Sequence, residues 1–134
     1  MRAALGQVHA GARESSAGAA RTYGDAVEVP AGAKWLVTSG TPGLSTEGAL
    51  PEGIAAQAEL AWSHITTLLQ RAGMTIADLV KVTQYLTRES DIAAHAQVRS
   101  RYLGGARPAS LLLVVPALVR PGFLLEIEIL AAKS

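Results

Sequence analysis

The chain has no cysteine among its 134 residues. Disulfides, thiolate nucleophiles and thiolate metal sites are therefore excluded. Aromatic residues make up only 4% of it, too few to build a surface on which unpaired bases stack. Neither sign of charge is in excess: 12 Lys and Arg against 11 Asp and Glu leave a formal +1. The arginines are scattered, so there is no basic footprint for nucleic acid, and no nucleic-acid partner is expected. No apolar run approaches the roughly 18 residues of a membrane span, so no membrane partner is expected either. Before Gly11, Arg13 and Glu14 there is no apolar core of a secretory leader. A cytoplasmic location is the expectation.

What the chain does have is aliphatic surface. Apolar residues reach 49%, many of them Ala, and mean hydropathy is +0.25. The length fits a single domain over 1–134, large enough to bury a core without covalent staples. This much aliphatic character in a small domain predicts that part of it is covered in an oligomer.

Along the chain, residues 1–21 hold a weak edge strand around Leu5, Gln7, Val8 and Ala10, and Gly11 to Ala20 reads as a mobile loop. Tyr23 to Val29 alternates loosely and stops at Pro30-Ala31-Gly32, and 34–39 follows as a strand, which suggests an antiparallel hairpin. Thr41 to Gly53, rich in Gly and Pro, reads as a long surface loop. Ile54, Ala58, Ala61, Ile65, Leu68 and Leu69 then define one helical stripe, and Gly73 follows it, predicting a helix over 54–72. Thr75 and Asp78 have the spacing of a capping box before a β-branched strand over 79–86. Ser90-Asp91 opens a second helix with Ile92, Ala96, Arg99 and Leu103 on one side, ended by Gly104-Gly105. Two strands, about 109–116 and 123–131, read as a closing hairpin. The order ββ-α-β-α-ββ predicts an α+β sandwich of two layers, a mixed sheet with both helices on one face.

The candidate chemistry lies in the last strand. Leu124-Leu125-Glu126-Ile127-Glu128-Ile129-Leu130 has the period of a strand, so Glu126 and Glu128 share one face and Leu125, Ile127 and Ile129 the other. Carboxylates in so apolar a segment must reach water, a partner or a ligand. They form either a solvated or salt-bridged strip, or a site in which Glu126 activates water. His9, His64 and His95 have no metal-ligand spacing, and no metal is expected. Gly40-Thr41-Pro42-Gly43 lacks the Lys of a phosphate loop. Ser110, Arg107, Arg120, Tyr23 and Ser39 each also admit a purely local role at a turn or a strand end.

Taken together, Leu36-Val37-Thr38-Ser39-Gly40, Ala55-Ala56-Gln57-Ala58, Leu68 to Gly73, Val80-Lys81-Val82-Thr83, Arg101-Tyr102-Leu103, Arg107-Pro108-Ala109 and Glu126-Ile127-Glu128 form an ordered signature. Over roughly residues 22–132 the chain resembles the RidA/YjgF family, the reactive-intermediate imine deaminases also described as endoribonuclease L-PSP-like. The resemblance implies a chorismate-mutase-like fold, a homotrimer with small-molecule clefts between subunits, and no cofactor. It makes Glu126 the residue that positions the hydrolytic water. Substrate contacts would come from Tyr23, Ser39, Thr41, Ile92, His95 and Ser110. The cleft Asn of the family falls on Ala96, or on His95 if the helix slips by one.

One departure matters most. Ser110 stands where the deaminases carry the Arg that grips the substrate carboxylate, and a hydroxyl offers one neutral hydrogen bond where a guanidinium offers a charged fork. Arg107 lies three residues upstream and on a strand would face the other way. The expected function is a deaminase-like hydrolase acting on an enamine, imine or related substrate that is neutral or less dependent on carboxylate capture. The alternative is a non-catalytic metabolite-binding or regulatory trimer. The nuclease label of the family finds no support in the charge balance.

Overall fold

A computed structural model describes residues 6–8 and 23–134. The expected loop from Gly11 to Ala20, and His9, lie outside the described residues. A small antiparallel pair is formed by β1 (Gly6–Val8) and β2 (Ala26–Glu28). The main sheet holds β3 (Lys34–Val37), β4 (Thr41–Pro42), β5 (Leu79–Leu86), β6 (Ala109–Val114) and β7 (Leu125–Lys133). Its order is β3-β7-β5-β6, with β4 following β3 along the same edge of β7. Two helices, α1 (Ile54–Arg71) and α2 (Ile92–Leu103), join the strands. They pack on one face of this mixed sheet, giving a two-layer α+β domain.

Each element follows from local chemistry. The apolar stripe of α1 buries Ile54, Ala58, Ala61, Ile65 and Leu69, together with Trp62 and Gln57, while Leu68 stays partly exposed. Past Ala72, Gly73 turns at φ 73°. Its N–H donates to Gln70 O at 3.0 Å, and that of Met74 donates to Leu69 O at 2.8 Å. That pair of bonds satisfies the last carbonyls of the helix as a Schellman motif does. Asp78 accepts from the Thr75 N–H at 2.8 Å, so the expected capping spacing is in use. Both β5 and β7 alternate buried and part-exposed residues. Val82 and Leu86 of β5, and Leu125, Ile127 and Ile129 of β7, meet α1 in one core with Val98 and Leu103 of α2. Each such aliphatic side chain contributes about 1.5–3 kcal/mol by leaving water.

Neither expected hairpin forms. β2 pairs with β1, and β3 pairs with β7, Lys34 opposite Lys133 and Val37 opposite Leu130. β6 and β7 lie on opposite edges of β5, the first parallel to it and the second antiparallel. The reason is that β5, α2 and β6 make a crossover unit, which puts two parallel strands side by side and leaves β7 the other edge. The 41–53 segment is also not wholly a surface loop: Thr41–Pro42 is strand, and Thr41 is buried. Gly43 lies against α1, where an added Cβ would sit 2.5 Å from Gln57 Cα.

Gln57 anchors the loop that precedes β7. Its Nε2 donates to Pro51 O and Gly122 O, both at 3.0 Å, and its Oε1 accepts from the Leu124 N–H at 2.9 Å. A buried amide is tolerated here because both ends are satisfied. Among the described residues no helix is long and apolar enough to cross a membrane.

Candidate functional site

The open face of the sheet carries the acids. Leu125, Ile127 and Ile129 are buried under the helices, so Glu126 and Glu128 project from the opposite side of β7. Tyr85 of β5 stands opposite Glu126 and donates its O–H to Glu128 Oε1 at 2.9 Å. That bond, chiefly, raises the Tyr85 pKa, with burial and the charge of Glu126 adding to it.

The sheet edge bends around Glu126. Between the pairs Val37 with Leu130 and Thr41 with Ile127, four steps on the edge match three on β7, so one residue of Thr38–Gly40 is extra. Thr38 bridges the gap: its N–H donates to Ile129 O at 3.2 Å, and its Oγ1 accepts from the Ile129 N–H at 3.0 Å. Such bulges re-aim side chains at sheet edges. Here the bulge presents Ser39 to solvent and brings the Gly40 backbone against the Glu126 carboxylate, where an added Cβ would lie 2.9 Å from Glu126 Cδ. Ser39, Gly40 and Thr41 line a groove of about 800 Å³ with exposed His64 and with Arg71.

A second cluster lies on the helix side, at the β6 edge. Gln84, fully buried on β5, donates through Nε2 to Ser110 Oγ at 2.8 Å and to Leu111 O at 3.2 Å. Its Oε1 takes two more bonds, Arg99 at 2.6 Å and His95 Nε2 at 2.8 Å. Because Gln84 Oε1 can only accept, His95 Nε2 carries the proton, and buried Nδ1 has no partner among the described residues. Burial, helped by the Arg99 charge, lowers the His95 pKa to about 4. The ring is neutral at pH 7.

Beside this network lies a cavity of about 340 Å³, lined by Tyr23, Ile92, Arg99, Ser110 and two leucines of β6, Leu111 and Leu112. Tyr23 is held at its mouth by Gly24, whose N–H donates to Arg107 O at 3.1 Å and Pro108 O at 3.0 Å. Ile92, exposed at the start of α2, follows the bidentate Arg88–Asp91 ion pair, at 2.8 and 3.0 Å. Asp91 is thus spent on Arg88 and makes no side-chain cap for α2.

The expected site residues therefore fall into two groups. Glu126 and Ser39 gather at the β3–β4 edge, where Thr41 is buried opposite Ile127 on the helix side, and Tyr23, Ile92 and Ser110 gather at the β6 edge. Ser110 and Glu126 are separated by β5 and point to opposite faces of the sheet. His95 is placed differently from the expectation of a direct ligand contact: its side chain is fully buried and bonded to Gln84. The inward side of α2 is correspondingly turned from the expected one, with His95, Val98 and Leu103 buried while Ile92 and Arg99 flank the cavity. Gln84 and Arg99 were not among the expected site residues. The signals were there, an amide at an inward position of an aliphatic strand and a cation on an apolar helix side.

With this geometry in view, the chain matches the family described as Endoribonuclease L-PSP over residues 14–133. A RutC family protein of Pyrococcus abyssi is 37% identical over 71 residues, 53% of this chain and 55% of that protein, so the match spans about half the length of that relative. The mouse 2-iminobutanoate/2-iminopropanoate deaminase is 30% identical over 114 residues, 84% of this chain and 82% of the relative. Among solved structures, a Rid-family protein of unknown function from Yersinia pestis superposes with a TM-score of 0.80 at 27% identity, covering 95% of this chain and 97% of the other. The strand order, the two helices on one face and these matches together make the chain a member of the Rid/YjgF family, with its chorismate-mutase-like α+β fold.

Proposed function

We propose that the protein is a cofactor-independent, deaminase-like hydrolase of enamine or imine substrates, working as a homotrimer at clefts between subunits. Glu126 orients and deprotonates the water that adds to the imine carbon and returns the proton to the nitrogen, so that collapse of the adduct breaks the C–N bond, releases ammonia and leaves a carbonyl compound. Ser39 from the same edge, and Tyr23, Ile92 and Ser110 from the β6 edge of a neighbouring copy, surround the substrate.

The observation that carries this reading is the seating of the Glu126 carboxylate on Gly40, inside a bulge that also turns out Ser39. The separation of the two groups supports the shared cleft, since one small ligand cannot reach both faces of a sheet. Exposed apolar side chains support assembly: Trp35 is 50% exposed, Val37 68% and Leu111 47%. The relation to the mouse deaminase supports the reaction class.

The test is ammonia release from imino acids generated in situ, with oligomeric state followed by light scattering. Glu126→Gln is expected to lower the rate about 100-fold or more while keeping the assembly. Equal rates for wild type, variant and buffer across a broad panel would remove the catalytic reading. Ligand-dependent thermal stabilisation without turnover would support a metabolite-binding trimer instead.

A further inference from the structure

Three arginines on or next to α2 have different surroundings. Arg88 is neutralised by Asp91, and Arg101 by Glu59. Arg99 has no carboxylate among the described residues. Its one acceptor there is Gln84 Oε1 at 2.6 Å, a neutral amide oxygen already taken by His95. Gln84 cannot turn to offer more, because its Nε2 is committed to Ser110 and Leu111. Arg99 is nonetheless half-buried, and burial lowers its pKa. A guanidinium taken out of water without a counter-ion is costly unless an anion completes it.

The place where it stands is a cavity. Arg99 lines the 340 Å³ space with Ser110, Tyr23 and Ile92, and the rest of its wall is apolar, Leu111 and Leu112 among it. Ser110 Oγ accepts from Gln84, so its own O–H proton is left to donate. A hydroxyl donor and a guanidinium that has no carboxylate among the described residues thus flank one buried amide.

We infer that Arg99 is the anion anchor of this cavity, delivered by α2 rather than by β6, and that the ligand it selects is a small carboxylic acid with a short apolar tail. The inference deepens the reading above and rests on the cavity beside Ser110 being a ligand site. It reverses the expectation drawn from Ser110 alone: the charge has moved from the strand to the helix above it, and the ligand remains anionic.

Unreactive ligands separate this inference from the chemistry. Calorimetry with butanoate, 2-oxobutanoate and the uncharged butanamide needs no turnover. Wild type should bind both acids and hold the amide much more weakly. Arg99→Gln should lose roughly tenfold or more for the acids and nothing for the amide. Arg99→Gln combined with Ser110→Arg should recover acid binding. If Arg99→Gln fails to fold by circular dichroism, Arg99→Lys is read instead, and it should bind the acids in a salt-dependent way but more weakly than wild type. Acid affinity unchanged in the folded Arg99 variant would overturn the inference. So would a wild type that binds neither acid at millimolar concentration, even if ammonia release depended on Glu126.

Discussion

The helix side of the sheet and its open side both carry polar groups among aliphatic residues, and they handle them in opposite ways. On the helix side, Gln84, His95, Ser110 and Arg99 are drawn into one network around a fully buried amide. There every hydrogen bond substitutes for lost water, so removing a member leaves several others unpaired. On the open side, Glu126, Glu128 and Tyr85 stand part-exposed, with water within reach, and the Tyr85 hydroxyl donates to Glu128. The first group is bound together by burial, and the second is the one to which the hydrolysis proposed above is assigned. The difference teaches that polar residues on an apolar strand have to be sorted by face before any role is given to them.

The largest expected effect breaks the helix-side network at its centre. Gln84→Leu keeps the shape but strands Arg99, His95 and Leu111 O, and should lower unfolding free energy by about 3 kcal/mol in urea titrations. If the loss is under about 1 kcal/mol, the network is not what holds this edge.

Next is the acid response of the same side. His95 ionises near pH 4 in the folded chain and near 6.5 when unfolded. As pH falls below 6.5 the unfolded chain takes up the proton first, so stability declines between 6.5 and 4 and is unaffected above that window. The loss at pH 5 relative to pH 7.5 should be about 2 kcal/mol, and His95→Gln should flatten it.

On the open side the expected effects fall on the proposed hydrolysis. Gly40→Ala puts a methyl group where the Glu126 carboxylate lies. The carboxylate can swing away, so the fold should survive while hydrolysis falls about tenfold, roughly 1.4 kcal/mol of misplacement. An unchanged rate would mean that this seat does not position the acid. The smallest effect is expected of Tyr85→Phe. It removes the hydrogen bond from Tyr85 to Glu128 and should leave the thermal midpoint where it was, in contrast to any change at Gln84.

The local elements were written in the sequence in detail. The α1 stripe, the 79–86 strand and the alternation of Glu126 and Glu128 with Leu125, Ile127 and Ile129 all depend on the period of one stretch of chain, and period records which face is buried. The acid pair was legible for that reason. Strand partners were not, because pairing is a choice among distant segments, and β5 took β6 on one edge and β7 on the other. The convergence of positions 84, 95, 99 and 110 was equally out of reach. No spacing along the chain joins them, and only the stacking of α2 on β5 and β6 brings the amide, the ring, the guanidinium and the hydroxyl within hydrogen-bond distance. The same is true of the bulge at Thr38–Gly40, which exists only because β3 and β4 share β7 as a partner. On α1, β5 and β7, sequence alone determined which side chains had to avoid water. Tertiary packing decided which polar groups would meet, because burial is a property of a residue and its period, whereas a hydrogen bond needs two groups brought together by the whole fold.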